Sequence, residues 1–335
     1  MKIITETLNE ILNLPIGLKA YFPDSRVGIL DIETTGLSPS QHQVIIGGIL
    51  VFDGDKTGTI RQYLSEGPED EKELLYSYLR EVNKCDLLIT YNGKSFDMNF
   101  LEIRENKSGF PTSQFPYNLD LYLVIRKASD LRSRLPNLRQ KTIENYLGLG
   151  GQRRDTINGL ESIQLYQDYI KTGNEKARDK ILLHNRDDLY QLYKLLDVVE
   201  VCDMEKAFHH LGFPGTPNLQ VTQTKIGTHY LEIRGIQRHN SINFYSFGDF
   251  GESLQIAFDK GSKTFQIMVP IFQRQGSYFL DLMPLAMNKN PFNQDSSYES
   301  GFLIIQEGGQ LNYKSLNEFT RLLVEKIGKE MENIK

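Results

Sequence analysis

Two acidic side chains stand inside an otherwise apolar run. Asp31 and Glu33 lie in Val27-Gly-Ile-Leu-Asp-Ile-Glu33, a segment of strand length whose other members include Val27, Ile29, Leu30 and Ile32. A strand turns successive side chains to opposite faces, so both carboxylates project from the same face, ~7 Å apart. On a buried strand two like charges repel and lose hydration, which is unfavourable unless a cation lies between them. Oxygen ligands suit a hard divalent ion, Mg²⁺ or Mn²⁺. An exposed strand end would also tolerate the pair, so the pair alone leaves both readings open.

Three further groups extend this chemistry. Thr34 and Thr35 open the turn Thr34-Thr-Gly-Leu37, where backbone N–H groups and hydroxyls can meet the end of a nucleotide. Asp97 closes Tyr91-Asn-Gly-Lys-Ser-Phe-Asp97, a polar turn between a buried strand and a helix. In the first helical turn it could also simply complement the helix dipole. Asn92 and Lys94 in that turn are candidates for substrate contact, Lys94 for a phosphate. His184 and Asp188, in His184-Asn-Arg-Asp-Asp188, are four positions apart and share one helical face. Asp187 beside them is an alternative ligand. Arg126, Lys127, Arg132, Arg134, Arg139, Lys141, Arg153 and Arg154 form a basic stretch that could track phosphates or be a solvated face.

The elements that must position these groups read as an α/β domain followed by a β-rich one. Apolar runs at Val27–Glu33, Val44–Phe52 and Asp86–Thr90 are strand-like, and a helical pattern begins after the acidic residues Glu69 to Glu73. Further helical patterns start near Phe96, Leu138, Leu160 and Asn174. This is a mixed sheet with interleaved helices. Beyond Gly215, strand-like runs at Thr228–Arg234, Ser241–Phe247, Ser253–Asp259, Lys263–Val269 and Ser277–Leu282 are separated by turn residues. The spacing of Ser315 and Glu318 predicts a capping box opening a final amphipathic helix. The boundary falls between about Val201 and Gln220, giving domains at 1–205 and 215–335.

The 335 residues carry 38 Lys and Arg against 43 Asp and Glu, a formal charge of -5, so no overall positive field draws the chain to polyanions. A polyanionic partner needs a local patch or metal ions. Cys85 and Cys202 lack the spacing for zinc or dithiol chemistry and suit a reducing, cytoplasmic compartment. Glu6 and Glu10 interrupt the opening segment as no signal-peptide core would, and no stretch is long and apolar enough to predict a membrane partner.

The segments DIETTG at 31–36, YNGKSFD at 91–97 and HNRDD at 184–188 resemble, in order and spacing, the motifs of the DEDD 3'-5' exonuclease superfamily on the ribonuclease H-like fold. Residues 118–121, 135–148 and 154–159 are similar to blocks of its bacterial YprB-type members, and the resemblance spans roughly 20–200. It implies an α/β ribonuclease H-like mixed sheet flanked by helices, with a smaller β-rich domain and C-terminal helix of unknown role after it. It further implies that Asp31, Glu33, Asp97 and Asp188 are catalytic carboxylates holding two Mg²⁺ or Mn²⁺ ions ~4 Å apart on a scissile phosphate. The implied reaction is 3'-5' hydrolysis of phosphodiester bonds at single-stranded DNA or RNA ends. Members of the superfamily carry a Tyr four residues, or a His five residues, before the last Asp; His184 stands at the Tyr-type spacing, as a base for the attacking water. The alternatives are a catalytically inactive ribonuclease H-like nucleic-acid-binding module and a structure-specific endonuclease.

Overall fold

The run around Asp31 becomes a strand because its β-branched and aliphatic residues pack on both faces of a sheet. In the computed structural model, which describes all residues except 54–56, 111–113, 152, 248–253, 286, 288 and 334–335, β1 (Lys2–Ile11), β2 (Arg26–Thr34), β3 (Val44–Asp53), β4 (Thr57–Leu64), β5 (Leu87–Thr90) and β6 (Tyr117–Asp120) form one sheet in the order β1-β4-β3-β2-β5-β6. β2 pairs antiparallel with β3 and parallel with β5, and β5 parallel with β6, so the sheet is mixed. β1 and β4 are additions to the sequence reading. Both lie toward one edge, where half-exposed residues such as Ile3 and Ile11 blunt the alternation that marks a strand.

Eight helices are described between Ile16 and Lys194: α1 (Ile16–Lys19), α2 (Glu71–Val82), α3 (Asp97–Lys107), α4 (Leu121–Ala128), α5 (Leu131–Arg134), α6 (Gln140–Tyr146), α7 (Gly159–Thr172) and α8 (Glu175–Lys194). α2 lies close on β3 because Gly47 leaves room for the Tyr78 ring, whose hydroxyl donates to the Gly48 carbonyl at 2.9 Å. Leu30 and Ile32 join Leu74, Leu75, Tyr78 and Phe100 in that core. α7 starts at a capping box in which Asn158 and Glu161 exchange bonds, and it stops at Gly173 in the left-handed conformation. Asn174 then caps α8. On the outer side of α8, Arg186 pairs with Glu6, and Lys194 with Glu10, of β1.

Residues Met1–Cys202 form one compact unit and Asp203–Lys335 another. The second opens with α9 (Met204–Leu211) and contains β7 (Phe213–Pro214), β8 (Leu219–Ile226), β9 (Tyr230–Gln237), β10 (Phe244–Ser246), β11 (Gln255–Asp259) and β12 (Thr264–Pro270), in the order β10-β11-β12-β9-β8-β7. The β11–β12 hairpin stacks Phe258 on Phe265. The run expected at Ser241–Phe247 shortens to β10, and Ser253 lies outside the described residues. A further antiparallel sheet contains β13 (Phe272–Arg274), β14 (Ser277–Asp281), β15 (Tyr298–Glu299), β16 (Phe302–Glu307) and β17 (Gln310–Leu311), and α10 (Tyr313–Asn333) closes the fold. The expected capping box at Ser315 is not formed. Asn312 is the cap, accepting from the Ser315 N–H at 3.2 Å, while the buried Ser315 hydroxyl donates to Asp295 at 2.6 Å. His209 is likewise structural: it contacts the Thr224 hydroxyl at 2.9 Å, and burial pushes it down to about 4. No described helix is long and apolar enough to cross a membrane.

Candidate metal centre

β2 runs further than its parallel neighbour. Its pairing with β5 ends at Ile29, so the next backbone groups on that side have no ladder partner. The Ile32 N–H donates instead to Asp97 Oδ1 at 3.2 Å, which ties the first turn of α3 to the acidic end of the strand. Asp31 and Glu33 share the face turned toward α7 and α8. Glu33 Oε2 accepts from the Ser162 hydroxyl at 3.0 Å, and Asp31 Oδ2 from the Asn185 amide at 2.8 Å. Asn185 is held in turn by Gln62 of β4 at 2.9 Å. It sits over Gly48, where any Cβ would collide with its amide. Glu33 and Asp97 are buried at 7% and 6% exposure, whereas Asp31 is half-buried and thus the strand acid open to a ligand.

α8 brings in the remaining groups. His184 is buried, not a surface residue, and its Nε2 lies 3.7 Å from Glu33 Oε1 and 3.5 Å from Asp188 Oδ2. Its Nδ1 is 2.7 Å from Asp155 Oδ2. With Asp155 accepting, a neutral ring would carry its hydrogen on Nδ1 and leave the Nε2 lone pair between Glu33 and Asp188. Asp155 belongs to an irregular strap before α7. Arg153 in the same strap places Nη1 2.5 Å from Asp188 Oδ1 and forks onto Glu144 at 2.9 and 2.7 Å. Asp187 faces away from this cluster. It accepts the Arg154 and Asp155 N–H groups at 2.6 and 2.9 Å and pairs with Arg186, so it anchors the strap.

The electrostatics follow from this crowding. Burial first, then the charges of Asp188, Asp97 and Glu33, hold the Asp31 carboxyl well above the carboxylate range. Burial pushes Glu33 up to about 7 against the opposing pull of His184, and pushes Asp97 up to about 7. Asp188 is raised by burial and partly brought back by Arg153. Four crowded carboxylates that resist ionisation are a donor set that a hard dication fits. Ligand atoms of Glu33, His184 and Asp188 all lie within 4.8 Å of one another, and this trio could hold an ion.

The sign of the pH dependence is set by these upward shifts. A carboxyl raised in the folded state contributes stability that is complete below its unfolded pKa and is lost as pH climbs through the folded value. With Glu33 and Asp97 at about 7, the chelated protein should melt several degrees higher at pH 5.5 than at pH 8. Saturating Mn²⁺ at pH 8 should recover the difference. A melting temperature in EDTA that rises with pH across this window would contradict the buried-acid picture.

The two threonines at the end of the strand serve their own turn. The buried Thr34 hydroxyl donates to the Gly36 carbonyl at 2.8 Å, and Thr35 Oγ accepts the Gln43 N–H at 3.0 Å. Asn92 has a left-handed backbone, with φ 60°, and an exposed side chain. Lys94 is exposed. Of the basic stretch, Arg153 is a buried ion-pair residue and Arg134 pairs with Asp130 at 3.4 Å. Sequence reading missed Arg153 and Asp155 as neighbours of the acids, and Ser162 and Asn185 as their donors. Asn185 carried a signal, since it falls one position after His184 on the same helix, whereas the irregular strap carries no periodicity.

Among known proteins, an uncharacterized protein of Methanocaldococcus jannaschii is 28% identical to this chain over 176 residues, covering 50% of this chain and 93% of that protein. In the solved family B DNA polymerase from the hyperthermophilic archaeon Pyrobaculum calidifontis, a similar region shows 16% identity and a TM-score of 0.41, covering 56% of this chain and 28% of the polymerase. Residues 29–200, just over half of the chain, match the family model for the RNase H superfamily. That span contains every carboxylate of the cluster, and the chain belongs to the RNase H superfamily.

Proposed function

We propose that the protein is a metal-dependent nuclease of the DEDD, YprB-like kind, a 3'-5' exonuclease acting on single-stranded DNA or RNA ends. The observation that carries this reading is the convergence of Asp31, Glu33, Asp97 and Asp188, from a strand and two helices, with pKa values pushed upward by burial. In this reading residues 1–205 are the nuclease domain, 215–335 an accessory domain, and the setting cytoplasmic, in keeping with two free cysteines.

The four carboxylates would hold two Mg²⁺ or Mn²⁺ ions, which when bound supply Lewis acidity at the phosphoryl group and a water acidified toward neutral pH. In this reading His184 Nε2 would accept a proton from a water lying beside Glu33 and Asp188, with Asp155 holding the other ring nitrogen. Asp155 also stabilises the imidazolium that forms. Arg153 restrains Asp188, Asn185 restrains Asp31 and Ser162 restrains Glu33, so the acids keep their positions when substrate arrives. The exposed ammonium of Lys94 can meet a substrate phosphate.

The purified chain with Mg²⁺ or Mn²⁺ should shorten 5'-labelled single-stranded oligonucleotides in a ladder that EDTA stops and a blocked 3' end prevents. His184→Ala should lower kcat by roughly 10²–10⁴-fold. Internal cuts on circular substrate would replace the exonuclease reading with an endonuclease one. Tight binding without any metal-dependent product, across DNA and RNA, would leave a binding module.

A further inference from the structure

Two arginines of the basic stretch face the same hollow. A pocket of about 340 Å³ is lined by Tyr122, Arg126, Arg132, Pro136, Asn137 and Leu138. Arg126 ends α4 and Arg132 lies on α5; both are exposed, and neither guanidinium has an ion-pair partner among the described residues. Arg153 and Arg134 of the same stretch are instead paired with acids. In a chain of net charge -5, two uncompensated guanidiniums around a concave surface are a local field for an anion. Their planar forks match phosphate oxygens, and the Tyr122 ring and Pro136 offer apolar surface to a sugar or base.

The pocket is also coupled to the acidic cluster. Asp120, the cap of α4, accepts the Tyr122 and Leu123 N–H groups at 3.1 and 3.4 Å, and with the same carboxylate the Asn92 and Lys94 N–H groups at 2.8 and 3.0 Å. The Tyr91 hydroxyl donates to the Leu138 carbonyl at 2.6 Å, and its ring meets Tyr122 edge-on. The pocket wall and the turn that leads into Asp97 are thereby joined by five hydrogen bonds. We propose that this pocket binds a phosphodiester of the single-stranded nucleic acid whose end is cleaved, with Arg126 and Arg132 on the phosphate and Tyr122 against the adjoining nucleoside. The proposal rests on the nuclease reading and names where that substrate is gripped away from the metal centre.

The test measures binding of a fluorescent single-stranded oligonucleotide to the full chain carrying Asp31→Asn, in Mg²⁺, across a salt series. Adding Arg126→Ala and Arg132→Ala together should weaken binding at least ~10-fold at ~50 mM salt. It should also make the plot of log affinity against log salt shallower by about 0.7 for each phosphate that is no longer neutralised. Lys127→Ala, on the same helix but outside the pocket, should cost little. An unchanged affinity and slope in the double variant, or an equal weakening in Lys127→Ala, overturns the pocket. If the wild-type chain still cleaves in that case, the nuclease reading stands; a chain that neither cleaves nor binds removes both. A melting temperature matching the parent shows that the double variant is folded.

Discussion

Asp31→Asn should abolish metal-dependent cleavage, by at least ~10³-fold, and at the same time make the metal-free protein more stable at pH 8. The first effect follows from the proposed role of Asp31 as a ligand to dications. Several kcal/mol of transition-state stabilisation is lost, and each ~1.4 kcal/mol is a factor of ten in rate. The second follows from the sign of the Asp31 shift. Its carboxyl is held well above the normal range by burial and by Asp188, Asp97 and Glu33, so ionising it at pH 8 works against folding. Asparagine has nearly the same shape, carries no charge, and can still accept the Asn185 amide bond. The stability gain should shrink as pH falls and vanish only below the ordinary value of 3.8, where Asp31 is protonated in both states, and should reverse in saturating Mn²⁺ if Asp31 is a ligand as proposed. Melting curves with and without metal at two pH values, beside a cleavage assay, measure all of this. A variant less stable than wild type in EDTA at pH 8 would mean the buried charge is satisfied by something other than a metal.

The largest loss of stability should come from Arg153→Met. The guanidinium, 10% exposed, lies among Glu144 and Asp155, each 2% exposed, and Asp188, 20% exposed. Taking away one partner of a buried ionic network leaves the others desolvated and unpaired, at about 3–5 kcal/mol. Arg153→Lys keeps the charge but not the two-pronged grip on Glu144, and should cost less than half as much. Chemical denaturation of the two variants at pH 7 gives the comparison. If methionine is tolerated at a cost under ~1 kcal/mol, the strap is held by the Asp187 hydrogen bonds and not by Arg153.

The faces on which the acids stand were legible because regular structure exposes their geometry. A carboxylate pair at period two inside an apolar strand, and a His/Asp pair at a spacing of four on a helix, name their faces without coordinates. The α/β order could be read for the same reason, whereas the RNase H-like character came from the resemblance carried by the three motifs. What could not be read lies where periodicity is absent. Arg153 sat in a run of basic residues, and composition does not distinguish a guanidinium buried beneath a strap from one facing a hollow. Asp155 is separated by 29 positions from His184, which only the turn of the chain brings to 2.7 Å. β1 escaped because an edge strand needs no strict alternation, and the cap of α10 because Asn312 competes with Ser315 for the same role.

Gly48 on β3 matters to the chemistry although it bears no functional group. Asn185 occupies the space its side chain would fill, and from there holds Asp31. A methyl group at that position would push the α8 amide off its perch and slacken the open acid of the centre, while leaving every charged residue of the cluster in place. Relatives that have lost the chemistry can therefore be sought by their bulk on a neighbouring strand as well as by their missing acids.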